Sequence, residues 1–207
     1  MSMKKWGELS SDESIAKTIE ALKANGIDAM VVANGEEAKK KVLELLPKGA
    51  EVMNMSSVTI DTLGLAKEIN ESGKFDSVKN KLSKMDRKTQ KLEMQRIGAA
   101  PQYALGSVHA VTEDGKVIIA SNTGSQLPAY AYGSSHVIWV VGAQKITKNV
   151  DEGTRRVYEY VLPLESKRAN KAYNITTGSF VSKMLIINKE RLPGRLTLIL
   201  VKEKLGF

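Results

Sequence analysis

The chain has 207 residues, of which 42% are hydrophobic, and its 31 Lys+Arg against 23 Asp+Glu give a formal charge of +8. That length suits one domain with a two-sided core. The absence of cysteine excludes a disulfide framework, a thiolate nucleophile, a cysteinyl zinc site and an iron–sulfur cluster on this chain, and only His109 and His136 offer imidazole to a metal. Apolar runs such as Val117–Ala120 fall far short of the roughly 20 residues a membrane helix needs. The opening stretch has no apolar core of the kind a signal peptide carries, so the expectation is a soluble cytoplasmic protein.

In chain order, Ser10 and Glu13 form an S-x-x-E capping box ahead of a helix whose apolar side is Ile15, Ile19 and Leu22 and whose end is Gly26. Residues 1–10 are then a polar tail on a single domain spanning 1–207. A short apolar strand over 27–33 leads to a helix from about Glu36 to Leu46, stopped at Pro47. The next strand, Glu51 to Met55, opens into Ser56-Ser57-Val58-Thr59 and a helix with Leu63, Leu65, Ala66 and Ile69. Strand, helix, strand, helix predicts parallel right-handed crossovers, hence an α/β fold with a mostly parallel sheet flanked by helices.

Between Lys74 and Arg96 stand eight basic residues and three acids, a surplus of +5. Val78, Leu82, Met85, Thr89 and Leu92 recur there at steps of four and three, predicting one amphipathic helix over 74–96 with its basic residues on the wet face. No aromatic residue interleaves the cluster, so base stacking is not offered and nucleic acid is not the expected partner. A solvated face or a dock for an acidic partner are the readings that remain.

Leu105 to Ala120 reads as a hairpin inserted into the βα alternation, with Asp114-Gly115 as a two-residue turn that needs positive φ at both positions. A polar loop over 121–125, a helical stretch from Gln126 to Gly133 and a buried strand from His136 to Gly142 follow. Asn149 and Glu152 cap a helix carrying Val150, Val157 and Val161 and broken at Pro163. Strands Met184–Asn188 and Leu196–Lys202 close the chain.

Three hydroxyl-rich loops could hold an anion at strand ends, through neutral hydrogen bonds and close backbone approach. They are Ser56, Ser57 and Thr59; Asn122, Thr123, Gly124 and Ser125; and Gly178 and Ser179 with Lys183 beyond them. Each has a plainer reading as a helix cap or turn, and the first two gain weight only if they meet at one sheet edge. Neither dinucleotide nor P-loop fingerprints occur, no Ser-His-Asp order or carboxylate pair stands out, and both histidines read as structural. The residues identify no cofactor and no metal site.

The segment Ala120-Ser121-Asn122-Thr123-Gly124-Ser125-Gln126-Leu127-Pro128, with His136-Val137-Ile138-Trp139-Val140-Val141-Gly142-Ala143-Gln144-Lys145-Ile146, resembles the lactate utilization protein (LUD) domain family. The resemblance extends to Val52–Gly64 and the closing strands, and covers most of the chain from about Ser10. It implies a fold similar to sugar-phosphate isomerases and CoA transferases, a role in lactate (2-hydroxy acid) utilization, and partner subunits that carry iron–sulfur clusters. Near the C-terminus many members show G-P-S-x-T-A-D-I and then G-x-H-G-P. This chain has Thr177-Gly178-Ser179-Phe180-Val181-Ser182-Lys183 and then Leu192-Pro193-Gly194-Arg195, so only Gly178 and Ser179 match. The expectation is a protein that binds a small anionic metabolite, a carboxylate, sugar phosphate or CoA derivative, at these loops. The alternative is a non-catalytic subunit docking an acidic partner through 74–96. Homo-oligomerisation and catalysis are left open by the sequence.

Overall fold

The computed structural model describes residues 6–207. Six parallel strands form the main sheet in the order β1-β10-β7-β4-β2-β3: β1 (Asp28–Val32), β2 (Glu51–Asn54), β3 (Asp76–Ser77), β4 (Tyr103–Gly106), β7 (His136–Gly142) and β10 (Leu196–Val201). The last strand of the chain thus enters the middle of the sheet, between β1 and β7. Apolar residues such as Val137–Val141 and Leu198–Val201 are buried on both faces, as a parallel sheet covered on both sides requires. A second sheet, ordered β8-β5-β6-β9, pairs β5 (Ala110–Thr112) with β6 (Val117–Ser121) and β6 with β9 (Lys183–Ile187) antiparallel, and β5 with β8 (Ile146–Thr147) parallel.

One face of the main sheet packs on helices α2 (Gly35–Leu45), α3 (Val58–Thr62) and α4 (Leu65–Glu71), with Val42, Ile60, Leu65 and Ile69 against Val52, Leu105, Val140 and Ile199. The other face packs on α1 (Asp12–Ala24) and the small sheet, with Ile15, Ile19 and Leu22 beside Val111, Ile119, Trp139 and Leu198. Behind the small sheet, Ala110 and Ile118 meet Val157 of a long C-terminal helical run. No helix among the described residues is long and apolar enough to cross a membrane.

Several expectations are corrected. The cap of α1 is Ser11, whose hydroxyl accepts from the Ser14 amide at 3.2 Å, one residue later than the S-x-x-E reading. Within the expected polar tail, Trp6 is 3% exposed and packs with Tyr160 and Val161, so that stretch carries an anchor; residues 1–5 lie outside the described residues. The basic helix over 74–96 does not form. The segment is β3, then α5 (Val78–Ser83), a turn, and α6 (Lys91–Ala99). Of its predicted apolar stripe only Val78 is buried, and Leu92 is 61% exposed. Ser77 caps α5, and Lys84 closes it; the carboxylate of Asp86 then binds the amide of Lys88 and the hydroxyl of Thr89, a local polar turn that outcompetes helix continuation.

Leu105 belongs to β4 of the main sheet, so the hairpin is β5–β6 alone. Its turn is not of the expected kind: only Gly115 has positive φ (+78°), and its amide binds the Thr112 carbonyl at 2.8 Å while Thr112 N–H binds the Lys116 carbonyl at 2.9 Å. That is a three-residue connection closed by a glycine bulge. Nor does Pro163 break the helix. The chain is helical from α7 (Val150–Arg156) through a π turn (Val157–Val161) into α8 (Leu162–Tyr173). Leu162 N–H reaches back five residues to the Val157 carbonyl, and this wider turn accommodates a proline that donates nothing and would crowd an ordinary helical turn.

Candidate functional site

Strands β2, β4 and β7 lie side by side and end at Asn54, Gly106 and Gly142. In an open α/β sheet, backbone and side-chain donors converge at these carboxyl ends. Asn54 pairs in register with Leu105, and Leu105 with Ile138. Because alternate residues share a face, Asn54 stands on the side of Val52, towards α3. It is fully buried, and neither atom of its amide has a hydrogen-bond partner. An unspent buried amide costs about 1–3 kcal/mol, which marks this strand end as unfinished.

After Asn54 the chain turns through Ser56 and Ser57. Ser57 caps α3, accepting from the Ile60 amide at 3.5 Å, and Ser56 is exposed. Thr59, in the first turn, is 1% exposed; its hydroxyl donates to the Leu205 carbonyl at 3.2 Å and accepts from Lys145 Nζ at 3.3 Å. Lys145 arrives from the other side, at the end of a short 3-10 turn (Ala143–Lys145) that follows β7. It is 3% exposed, and Nζ lies 3.1 Å from Ser107 Oγ and 3.2 Å from the Val108 carbonyl.

None of these three partners carries charge. Burial, reinforced by the Arg156 guanidinium, brings the Lys145 amine down to about 7. The C-terminal segment covers Lys145: Gln144 Nε2 donates to the Leu205 carbonyl at 2.9 Å, and Gly206 lies so close that a Cβ there would stand 2.6 Å from Thr59 Oγ1 and 3.5 Å from Lys145 Nζ.

Two further basic side chains flank the site, one charged and one neutral. Arg156 is fully buried and donates to the carbonyl of His109 at 2.5 Å and to that of Trp6 at 3.4 Å. His109 keeps part of its surface, but burial of the ring, with the charges of Lys145 and Arg156, pushes it down to about 3. It is therefore neutral at ordinary pH. Its Nδ1 accepts from the Ala120 amide at 3.1 Å, which fixes the remaining proton on Nε2.

The other candidate residues lie on the small sheet. Asn122–Ser125 follows β6 and is closed on itself: the Gly124 amide binds Ser121 Oγ at 2.8 Å, the Ser125 amide binds Thr123 Oγ1 at 3.3 Å, and the two hydroxyls bind each other at 3.1 Å. Gly178 and Ser179 donate their amides to Asn170 Oδ1 at 2.8 Å and Ser166 Oγ at 3.0 Å. Lys183 opens β9 opposite Ser121, and its aliphatic stem crosses over Gly124, 2.5 Å from where a Cβ would be. Lys183 therefore meets the second loop, while Gly178 and Ser179 are tied to α8. The first belongs to the main sheet, so the expected convergence of the Ser56 and Asn122 loops at one sheet edge does not occur.

The sequence reading passed over Lys145, Ser107 and Asn54. For two of them the signal is a polar residue where an apolar one belongs: Asn54 within Val-Met-Asn-Met, and Lys145 between the β7 run and Ile146.

The sequence model of the LUD domain matches residues 15–201. No curated protein matches the chain. Among solved structures, a DUF162-family protein from Deinococcus radiodurans superposes with a TM-score of 0.58 at 13% identity, covering 94% of this chain and 99% of that one, which is a likeness of fold. With nine-tenths of its length inside the family match, the chain belongs to the LUD-domain family.

Proposed function

We propose that the protein binds a small anionic metabolite, a carboxylate, sugar phosphate or CoA derivative, at the carboxyl edge of the main sheet, between the Ser56-Ser57-Thr59 loop and Lys145. Membership of the LUD-domain family supports a role associated with lactate utilization. The observation that carries the reading is the buried Lys145 amine, held only by neutral oxygens and joined to Thr59 at 3.3 Å. A buried cation without a counter-ion is costly, and an anion beside it recovers that cost. The amides of Gly124, Ser125, Gly178 and Ser179 are already bonded, so the anion is assigned to the first loop.

The test is a thermal-shift series with L-lactate, pyruvate, phosphosugars and CoA esters. A ligand at 100 times its Kd adds about 2.7 kcal/mol of stability. Lys145→Met, which removes the buried cation, should cut the affinity of the responding ligand by about 1.5–3 kcal/mol, the range for a hydrogen bond to a charged group. No stabilisation by any of these anions would overturn the reading.

A second reading has its own observation. Helix α6 buries no residue at all and carries Leu92 on a segment with a +5 surplus. That supports docking of an acidic partner, such as an iron–sulfur subunit, through α5 and α6. Pull-down losses confined to a Lys88→Glu, Lys91→Glu variant would support it.

A further inference from the structure

We propose that Ser107 and Lys145 form a serine–lysine dyad that transfers an acyl group from an ester or thioester. This rests on the reading above for its place in the fold and adds a chemistry to it.

The argument is a proton inventory. The Thr59 hydroxyl proton is spent on the Leu205 carbonyl, so Thr59 can only accept from Nζ. The Val108 carbonyl can only accept as well. A neutral amine has two hydrogens and one lone pair. Charged, the amine donates to all three oxygens; once it has lost a proton, its two hydrogens can stay on Thr59 and Val108, and the lone pair then faces Ser107 Oγ at 3.1 Å, which becomes the donor. A serine hydroxyl pointing its proton at an unprotonated lysine is an activated nucleophile, with the lysine as general base.

Burial sorts the two roles. Lys145 is sealed beneath the C-terminal segment, whereas Ser107 is only half-buried, at the end of β4. The charged and titratable groups nearest in effect are Arg156, which disfavours a second positive charge, and His109, which is neutral; no carboxylate among the described residues pairs with the amine to hold its proton. Asn54, at the end of the adjacent strand and on the α3 side of the sheet, adds an amide donor with no other partner.

In the first half-reaction Ser107 Oγ bonds to the acyl carbon as its proton passes to Lys145 Nζ. The bond from carbon to the alcohol or thiol breaks, and the leaving group takes the proton from Nζ. In the second, water adds to the acyl-serine while Nζ takes one of its protons. The carbon–Oγ bond then breaks, Oγ recovers the proton, and the carboxylic acid leaves.

The experiment is labelling of the full chain with a fluorophosphonate, read as the adduct mass on the peptide containing Ser107. The wild-type rate should climb with pH around a midpoint near 7, as the amine loses its proton. Ser107→Ala should abolish the adduct. Lys145→Arg keeps donors for Thr59 and Val108 but cannot take a proton, and should slow labelling at least tenfold while the circular-dichroism spectrum is kept. A folded wild-type protein that shows no Ser107 adduct at pH 9, or an adduct formed equally fast with arginine at 145, overturns the dyad. Anion stabilisation without labelling would sink the dyad and keep the binding reading, and labelling without anion stabilisation would do the reverse.

Discussion

The carboxyl edge of the main sheet and the loop end of the small sheet are both rich in Ser, Thr and Asn, yet they stand in opposite hydrogen-bonding states. In the Asn122–Ser125 loop the hydroxyls satisfy the loop's own amides, and Lys183 lies in solvent. At the main sheet a lysine is buried among neutral oxygens and an asparagine is buried with none. The first is a finished turn, the second a place where the fold has left donors and charge unspent. Residue type made the two look alike; only the accounting of each polar atom separates them.

The largest effect should come from the lysine itself. Its amine is held near 7 when folded against an ordinary value of 10.5, so between those values the unfolded chain binds one more proton than the folded one. Stability therefore rises with pH across that window, and below about pH 7 the full penalty of a buried charge is present. Lys145→Met has no such group. From pH 7 to 9.5 the wild type should gain about 3 kcal/mol relative to Lys145→Met, read by urea unfolding of both proteins. Parallel pH profiles would mean that Lys145 is solvated and that the two regions do not differ as described.

A middle-sized effect is expected at the hairpin of the small sheet. Gly115 has φ of +78°, and a Cβ there would stand 2.5 Å from the backbone of Ala21 in α1. Gly115→Val must both adopt a left-handed backbone and push α1 away, costing about 2–3 kcal/mol. Asn25 Nδ2 bridges the same junction to the carbonyls of Asp114 and Gly115, each at 3.0 Å, so the loss should spread to α1. Urea midpoints measure it. The turn reaches the main-sheet edge only through the pairing of β5 with β8, which follows Lys145, so anion-induced stabilisation should survive, and its loss would show that the two sheets are coupled there.

How far the sequence foretells these regions follows from what sets each one. The parallel main sheet was legible because its strands are continuous apolar runs separated by capped helices: Asn34 holds the Glu37 amide at 3.0 Å at the start of α2, and Val137–Val141 needs only burial. The hairpin was legible in place but not in turn type, because Asp-Gly serves a glycine bulge as well as a type I′ turn. The run from 74 to 96 misled because periodicity says which residues could share a face, not whether anything stands opposite. Here α6 buries none of its residues, and Asp86 turns the chain. Pro163 misled because the five-residue π turn ahead of it is not encoded by any residue type. At the candidate site, Ser57 and Thr59 were visible as hydroxyls after a strand. Lys145 was not, since its burial depends on three segments far apart in sequence: α3, the residues after β4, and the C-terminal segment.

The smallest effect is expected at Thr123, and its smallness sharpens the contrast. Its hydroxyl accepts from the Ser125 amide at 3.3 Å and donates to Ser125 Oγ at 3.1 Å, on an exposed loop where water can replace both. Thr123→Ala should therefore lower stability by only about 0.5–1 kcal/mol, the low end for a cap or turn residue. The Gly124 amide keeps its bond to Ser121 Oγ in the variant, so the loop should hold its shape. The loop ends β6 of the small sheet, whereas the proposed anion site is at the end of β2 in the main sheet, so calorimetric titration should give the wild-type affinity. Lys145→Met should show the reverse pattern, a weakened Kd. If Thr123→Ala instead weakens the ligand by tenfold with its melting curve unchanged, the anion sits over the Thr123-Gly124-Ser125 amides beside Lys183, and the turn that appears finished is the site.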